Sequence, residues 1–243
     1  MTALNEWFRG IDLGRILEWI MFAGAALIAI SVHESSHALS AFWLGDDTAK
    51  RMGRISLNPL RHLDPMGFLM MVLAHFGWAR PVPVNPYRMT KIKRPKVGMA
   101  LTAAAGPISN VLLALLFALG FYVCYYAGGE ELWIMWAGYL KGSGWLYYLS
   151  LFLWICYLLN TGLAVFNLIP ISPLDGSKIL AIFLPDKAHA WLMRYERYGM
   201  ILLIALLFFN VLDTPLSFLR NGLMDGVDAV VMPLARLLTG VGG

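Results

Sequence analysis

Apolar residues along this chain run in long, nearly unbroken blocks, without the short alternations of a half-buried strand. A helix needs about 20 apolar residues, each rising about 1.5 Å, to cross the hydrocarbon of a bilayer. Ile16–Leu44, Val97–Ala127 and Trp145–Ile169 each meet that length. Met200–Leu212 is shorter but, extended back through Tyr195–Gly199, is a fourth candidate. Pro215–Leu238 mixes Arg220, Asp225 and Asp228 into its apolar positions, a pattern that suits an amphipathic surface helix as well as a span. Met66–Trp78 is apolar for only about 13 residues, which fits a re-entrant or interfacial segment better than a crossing. The pattern predicts an all-α polytopic membrane protein with about 4–6 membrane segments.

Composition agrees. Of 243 residues, 59% are hydrophobic and 14% charged, against about 45–50% and about 25% in soluble domains. No linker, low-complexity tract or repeat divides the chain. It reads as one domain over 1–243, with a core at about 16–185 and C-terminal helices over about 186–243. The net charge of +4 is small, and its basic residues gather in one loop and beside apolar segments, which argues against a nucleic-acid partner. Cys124 and Cys156 both lie in apolar stretches and read as buried thiols. Met1–Glu18 carries Glu6, Arg9, Asp12, Arg15 and Glu18 and lacks the basic start, short apolar run and cleavage site of a signal peptide, so it is expected to be retained.

Loop charge gives an orientation. Lys50, Arg51, Arg54, Arg61, Arg80, Arg88 and the run Lys91, Lys93, Arg94, Lys96 lie between the first two spans. The next loop has Lys141 beside Glu130 and Glu131, and the one after the third span returns to Lys178, Lys187, Arg194 and Arg197. The basic loops are expected in the cytosol, the Glu130 loop and the N-terminus outside. The Lys91–Lys96 run is expected to meet anionic headgroups.

The chemistry lies inside the first apolar block, where His33, Glu34 and His37 spell H-E-S-S-H. Residues i and i+4 share one helix face, so two imidazoles so spaced can grip one metal ion, with the adjacent glutamate placed to take a proton from an activated water. Ionisable side chains within a span are costly and by default mark function. Two histidines leave a catalytic zinc site one ligand short. His62, His75 and His189 stand apart from other ligand-type residues and read as exposed or interfacial. A better third ligand is Asp175, at the end of the third span, where Pro170 and Pro173 break the helix and let the chain turn back. Ser35 and Ser36 either line a wet pocket or simply let helices approach.

H-E-x-x-H in one apolar helix, followed by N-x-x-P-x(4)-D-G from Asn167 to Gly176 at the end of another, resembles the site-2 protease family of intramembrane zinc metalloproteases. Three further stretches agree: Gly53–Leu60 with His62, Asp64, Pro65 and Gly67; Gly77–Asn85; and Gly106–Asn110. The resemblance implies a three-helix catalytic core in which His33, His37 and Asp175 hold one Zn2+ per chain. It makes Glu34 the general base and assigns Asn167 to the developing oxyanion. It further implies regulated intramembrane proteolysis of a membrane-spanning protein, single-span and already trimmed by another protease. The setting would be a bacterial or archaeal inner membrane, with the active site toward the cytosol. Absence of a PDZ insert and of a nucleotide-binding domain resembles the minimal branch of the family.

Several expectations depend on the fold. Lys50–Leu57 and Ala79–Val84 have strand character, the second confined to an edge by Pro81 and Pro83, and such an edge can accept an unwound substrate as an added strand; an ordinary amphipathic loop fits equally. Asn110 either reaches the site or makes an interhelical hydrogen bond, and Gly106–Pro107 is expected to bend its helix. No role is assigned to His62 or Asp64. A metal transporter would spread its ligands along a path, whereas these converge. A zincin with Glu196 as third ligand would draw it from a polar, basic stretch, and the intact Glu34 argues against an inactive scaffold.

Overall fold

The computed structural model describes residues 13–74, 79–129, 144–185, 187–189 and 194–241. Among the described residues, three helices are long and apolar enough to cross a membrane: α1 (Leu13–Trp43), α4 (Pro95–Ala127) and α5 (Trp145–Asn167). Short helices α2 (Thr48–Arg51) and α3 (Pro65–Ala74) lie between the first two. A one-and-a-half-turn helix, α6 (Asp175–Leu180), follows α5, and α7 (Glu196–Phe208) and α8 (Asp213–Thr239) complete the chain. The last two are bent by 87° at their junction and form a fourth span only if taken together as one broken crossing. The protein is an all-α, multi-pass integral membrane protein.

The core is built of small residues. Ala25, Ala26, Ala29, Ala38 and Ala41 of α1 and Ala100, Ala103, Ala114 and Ala118 of α4 are buried, while Ile20, Leu112 and Leu116 are more than 60% exposed. Water would forbid that arrangement. In lipid the large aliphatic side chains lose nothing by facing outward, and small residues let helix backbones come close.

Helix α8 is no free surface helix. Val227 and Val231 pack with Ala114, Ala118 and Tyr157 in one buried cluster. The Tyr157 hydroxyl donates to Asp228 Oδ1 at 2.9 Å and lies 3.2 Å from the Met224 carbonyl. The charge that argued against a span in the sequence is thus what ties α8 to α5.

The segment between α1 and α4 holds no strand among the described residues, only a bridge between Leu63 and Ala79. Lys50 and Arg51 belong to α2, and Pro81 and Pro83 have no N–H to contribute to a ladder. Two buried charges order the segment instead. Asp46, fully buried, accepts from the backbone N–H of Thr48 at 3.0 Å and of Asn85 at 2.6 Å. Arg54 donates to the carbonyls of Arg61 and Arg80, and to that of Pro81 at 3.1 Å. Burial lowers the pKa of its guanidinium from the usual 12.5, and the Glu34 carboxylate opposes that shift. Asp64 caps α3 by accepting from the Gly67 N–H at 2.8 Å. His62 is fully buried, contrary to the exposed or interfacial position expected for it, because it closes the junction between this segment and α1. Its Nε2 lies 2.6 Å from the Ser56 carbonyl and 3.2 Å from Ser35 Oγ.

Replacing Tyr157 with Phe removes the bond that holds α8. An interhelical hydrogen bond in a membrane contributes about 0.6 kcal/mol and at most about 1.7 kcal/mol. Tyr157→Phe is expected to lower stability within that range in detergent unfolding, whereas an unchanged midpoint would mean the bond holds nothing.

Candidate metal centre

The site starts from helix geometry. His33 and His37 project from one face of α1, and their rings meet edge to face with centroids 4.6 Å apart. Both are buried. Helix α5 stops at Asn167; residues 168–174 fold back and Asp175 opens α6. This return brings Asp175 Oδ2 to 3.2 Å from His33 Nε2 and 3.1 Å from His37 Nε2. Gly176 permits the close passage, because a Cβ there would stand 2.2 Å from the Leu168 carbonyl oxygen and 2.5 Å from that of Ile169. Lys178 Nζ lies 3.8 Å from the other carboxylate oxygen, Asp175 Oδ1.

The ring nitrogens that face away from Asp175 are both engaged by α4. His33 Nδ1 donates to Asn110 Oδ1 at 2.5 Å, and His37 Nδ1 donates to the Thr102 carbonyl at 2.7 Å. A neutral imidazole that carries its proton on Nδ1 presents a lone pair on Nε2, the form a metal needs. Ligand atoms of His33, His37 and Asp175 all lie within 4.8 Å of one another, and theirs is the group of this kind found among the described residues. Two imidazole nitrogens and a carboxylate suit zinc and leave a fourth position for water. The donor set therefore fits the ion.

The two readings of Asn110 are both realised: it bonds His33 and, through Nδ2, Asn160 Oδ1 on α5 at 2.8 Å. Helix α4 runs on through Pro107, and Gly106 supplies space beside it, since a Cβ there would lie 2.5 Å from Cε1 of both His33 and His37. Glu34 is half-buried between the two histidines in sequence. Asn167, also half-buried, ends α5 with Nδ2 donating to the Leu163 carbonyl at 3.0 Å. Ser35 is buried and donates to the Ser56 carbonyl, while Ser36 donates to that of Val32 at 2.7 Å. Both serines are thus engaged with backbone. His189 is half-buried away from the trio, and His75 lies outside the described residues, as does the Glu130 loop. Reasoning from sequence missed Thr102 and Asn160. A backbone carbonyl leaves no trace in sequence, but a lone amide in an apolar span is a signal.

Comparison with known proteins bears on this centre. The family described as "Peptidase family M50" matches residues 133–210, a stretch that includes Asn167 and Asp175. The Bacillus subtilis (strain 168) protein named "Putative zinc metalloprotease YwhC" is 37% identical over 214 residues, covering 86% of this chain and 91% of that protein. "Putative zinc metalloprotease Rip2" of Mycolicibacterium smegmatis is 26% identical, over 78% of this chain and 67% of its own. The Mycobacterium tuberculosis (strain H37Rv) protein of the same name is 28% identical, over 77% and 66%. No solved structure matches. The chain belongs to peptidase family M50, the site-2 protease family of metalloproteases.

Gly106→Ala tests the space around the imidazoles. Its methyl group would displace both rings from α4, so zinc affinity in a chelator competition is expected to fall at least about 10-fold with helix content kept. Wild-type affinity would show that the rings do not depend on that gap.

Proposed function

We propose that this family member is an intramembrane zinc endopeptidase that cuts a membrane-spanning segment of another protein. The observation that carries the reading is the convergence on one point of His33 and His37, inside an apolar helix, and the buried Asp175, with Glu34 beside them in the chain. Charged and metal-type side chains so placed are expensive unless they work together.

Peptide hydrolysis in lipid needs water, charge stabilisation and an unwound substrate. His33, His37 and Asp175 would hold zinc, which would supply Lewis-acid polarisation of water and of the scissile carbonyl. Glu34 takes the proton of the attacking water and hands it to the leaving amine. Among the described residues Asn167 uses one amide hydrogen, on the Leu163 carbonyl, and its second would serve the developing oxyanion. Asn110 and Thr102 keep the two imidazoles from turning while this happens. Arg54 already occupies the Arg80 and Pro81 carbonyls, so an incoming strand would pair elsewhere on that segment.

Basic residues crowd the segment between α1 and α4, and His33 and His37 lie toward that end of α1. By the positive-inside rule this end faces the cytosol, in a bacterial or archaeal inner membrane. Water then reaches the site from the cytosol, and one cleavage product leaves to that side. The substrate is a single-span protein already trimmed by another protease, which makes the reaction a step of regulated intramembrane proteolysis.

Glu34→Gln is the direct test. With the protein in liposomes beside single-span reporters lacking bulky external domains, cleavage is expected to fall by about 10²–10⁴-fold, the range for losing a general base, with zinc content unchanged. Cleavage at the wild-type rate would contradict the role given to Glu34. A wild-type protein that cuts only soluble peptides would contradict the intramembrane reading.

A further inference from the structure

We propose that Asn160, in the middle of α5, decides through Asn110 which ring nitrogen of His33 is free to bind the metal, and so acts as a positioning residue. The inference rests on the reading of His33, His37 and Asp175 as ligands.

An asparagine turned by 180° swaps a carbonyl acceptor for an NH2 donor at nearly no steric cost. With Oδ1 of Asn110 facing His33 Nδ1 at 2.5 Å, the ring carries its proton on Nδ1 and keeps the Nε2 lone pair. With the amide reversed, an N–H would face Nδ1, the proton would move to Nε2, and the lone pair toward Asp175 and the metal would be lost. His33 alone cannot enforce the right choice, because either tautomer can satisfy one orientation of the amide.

The choice is fixed further away. Asn110 Nδ2 donates to Asn160 Oδ1 at 2.8 Å and lies 3.4 Å from the Ala29 carbonyl. Asn160 has the same ambiguity, and its Nδ2 donates to the Cys156 carbonyl at 2.8 Å. That carbonyl belongs to the backbone of α5 and can only accept. It therefore sets Asn160; Asn160, at the shorter distance, sets Asn110 together with the Ala29 carbonyl, and Asn110 sets His33. Asn110 and Asn160 are completely buried and His33 is nearly so, so no bulk water is at hand to satisfy a reversed amide. His37 needs no such chain, since the Thr102 backbone carbonyl faces its Nδ1 directly.

The test uses the full chain in detergent, with Asn160→Leu, Asn160→Asp, Asn110→Leu and Asn110→Asp beside wild type. Zinc affinity is read by chelator competition, and the protonated ring nitrogen by 15N spectra of histidine-labelled protein. Leucine keeps much of the volume but accepts nothing; aspartate keeps an acceptor oxygen. Both leucine variants are expected to bind zinc about 10–100-fold more weakly. Asn110→Asp is expected to be weakened too, because its second oxygen would face the acceptors Asn160 Oδ1 and the Ala29 carbonyl. Asn160→Asp is expected to stay within about threefold of wild type. The 15N spectra are expected to show His33 with its proton on Nδ1 in wild type and Asn160→Asp, and a loss of that signal in Asn160→Leu. Wild-type affinity and spectra for Asn160→Leu would overturn the inference. Asn160→Asp as weak as Asn160→Leu would overturn it as well, since the residue would then matter only for packing. A wild-type protein that takes up no zinc would instead sink the ligand reading, and the spectra of the zinc-free protein would still judge the relay.

Discussion

Everything in this structure depends on holding two imidazoles and a carboxylate together where they are buried among apolar helices. Each would be costly alone in an apolar helix. Placed within 4.8 Å of one another, they form a site suited to a divalent cation. The cost of bringing them there explains much of the rest. Gly106 leaves room for the rings, Gly176 lets the chain turn back tightly after α5, and α4 offers an acceptor to each Nδ1. The small-residue core brings α1, α4 and α5 close enough for these contacts to form.

A second set of buried polar groups supports the first from outside the core. Asp46 and Arg54 gather the segment between α1 and α4 by bonding backbone groups, where a sheet would otherwise have done so. His62 and Ser35 then join that segment to the H-E-S-S-H turn of α1. At the C-terminal end of the chain, Asp228 and Tyr157 fasten α8 against α5. Buried polar side chains thus specify where each element docks, because the hydrophobic effect does not discriminate among apolar helix faces in lipid.

The spans were legible in the sequence because bilayer thickness sets their length, and the metal trio because i, i+4 spacing and a proline-broken helix are both local signals. The segment after α1 was less so. Two runs in it had strand character, with an ordinary amphipathic loop fitting equally, but Thr48–Arg51 form a turn of helix, and Pro81 and Pro83 cannot donate to a ladder. His62 looked peripheral because its partners, Ser35 and the Ser56 carbonyl, are brought to it only by the fold. The room that Gly106 leaves for the two imidazoles was not legible, since sequence does not reveal what a missing Cβ makes space for. Asn160 stands alone among apolar residues, and its partner on α4 is 50 positions away.

The most direct test of the account is the zinc content of detergent-purified protein, wild type beside His33→Ala and Asp175→Ala. One zinc per chain in wild type, lost or greatly weakened in both variants, is the expected result for a site of three protein ligands. Zinc kept at wild-type affinity without Asp175, or a well-folded wild type that binds none, would contradict it.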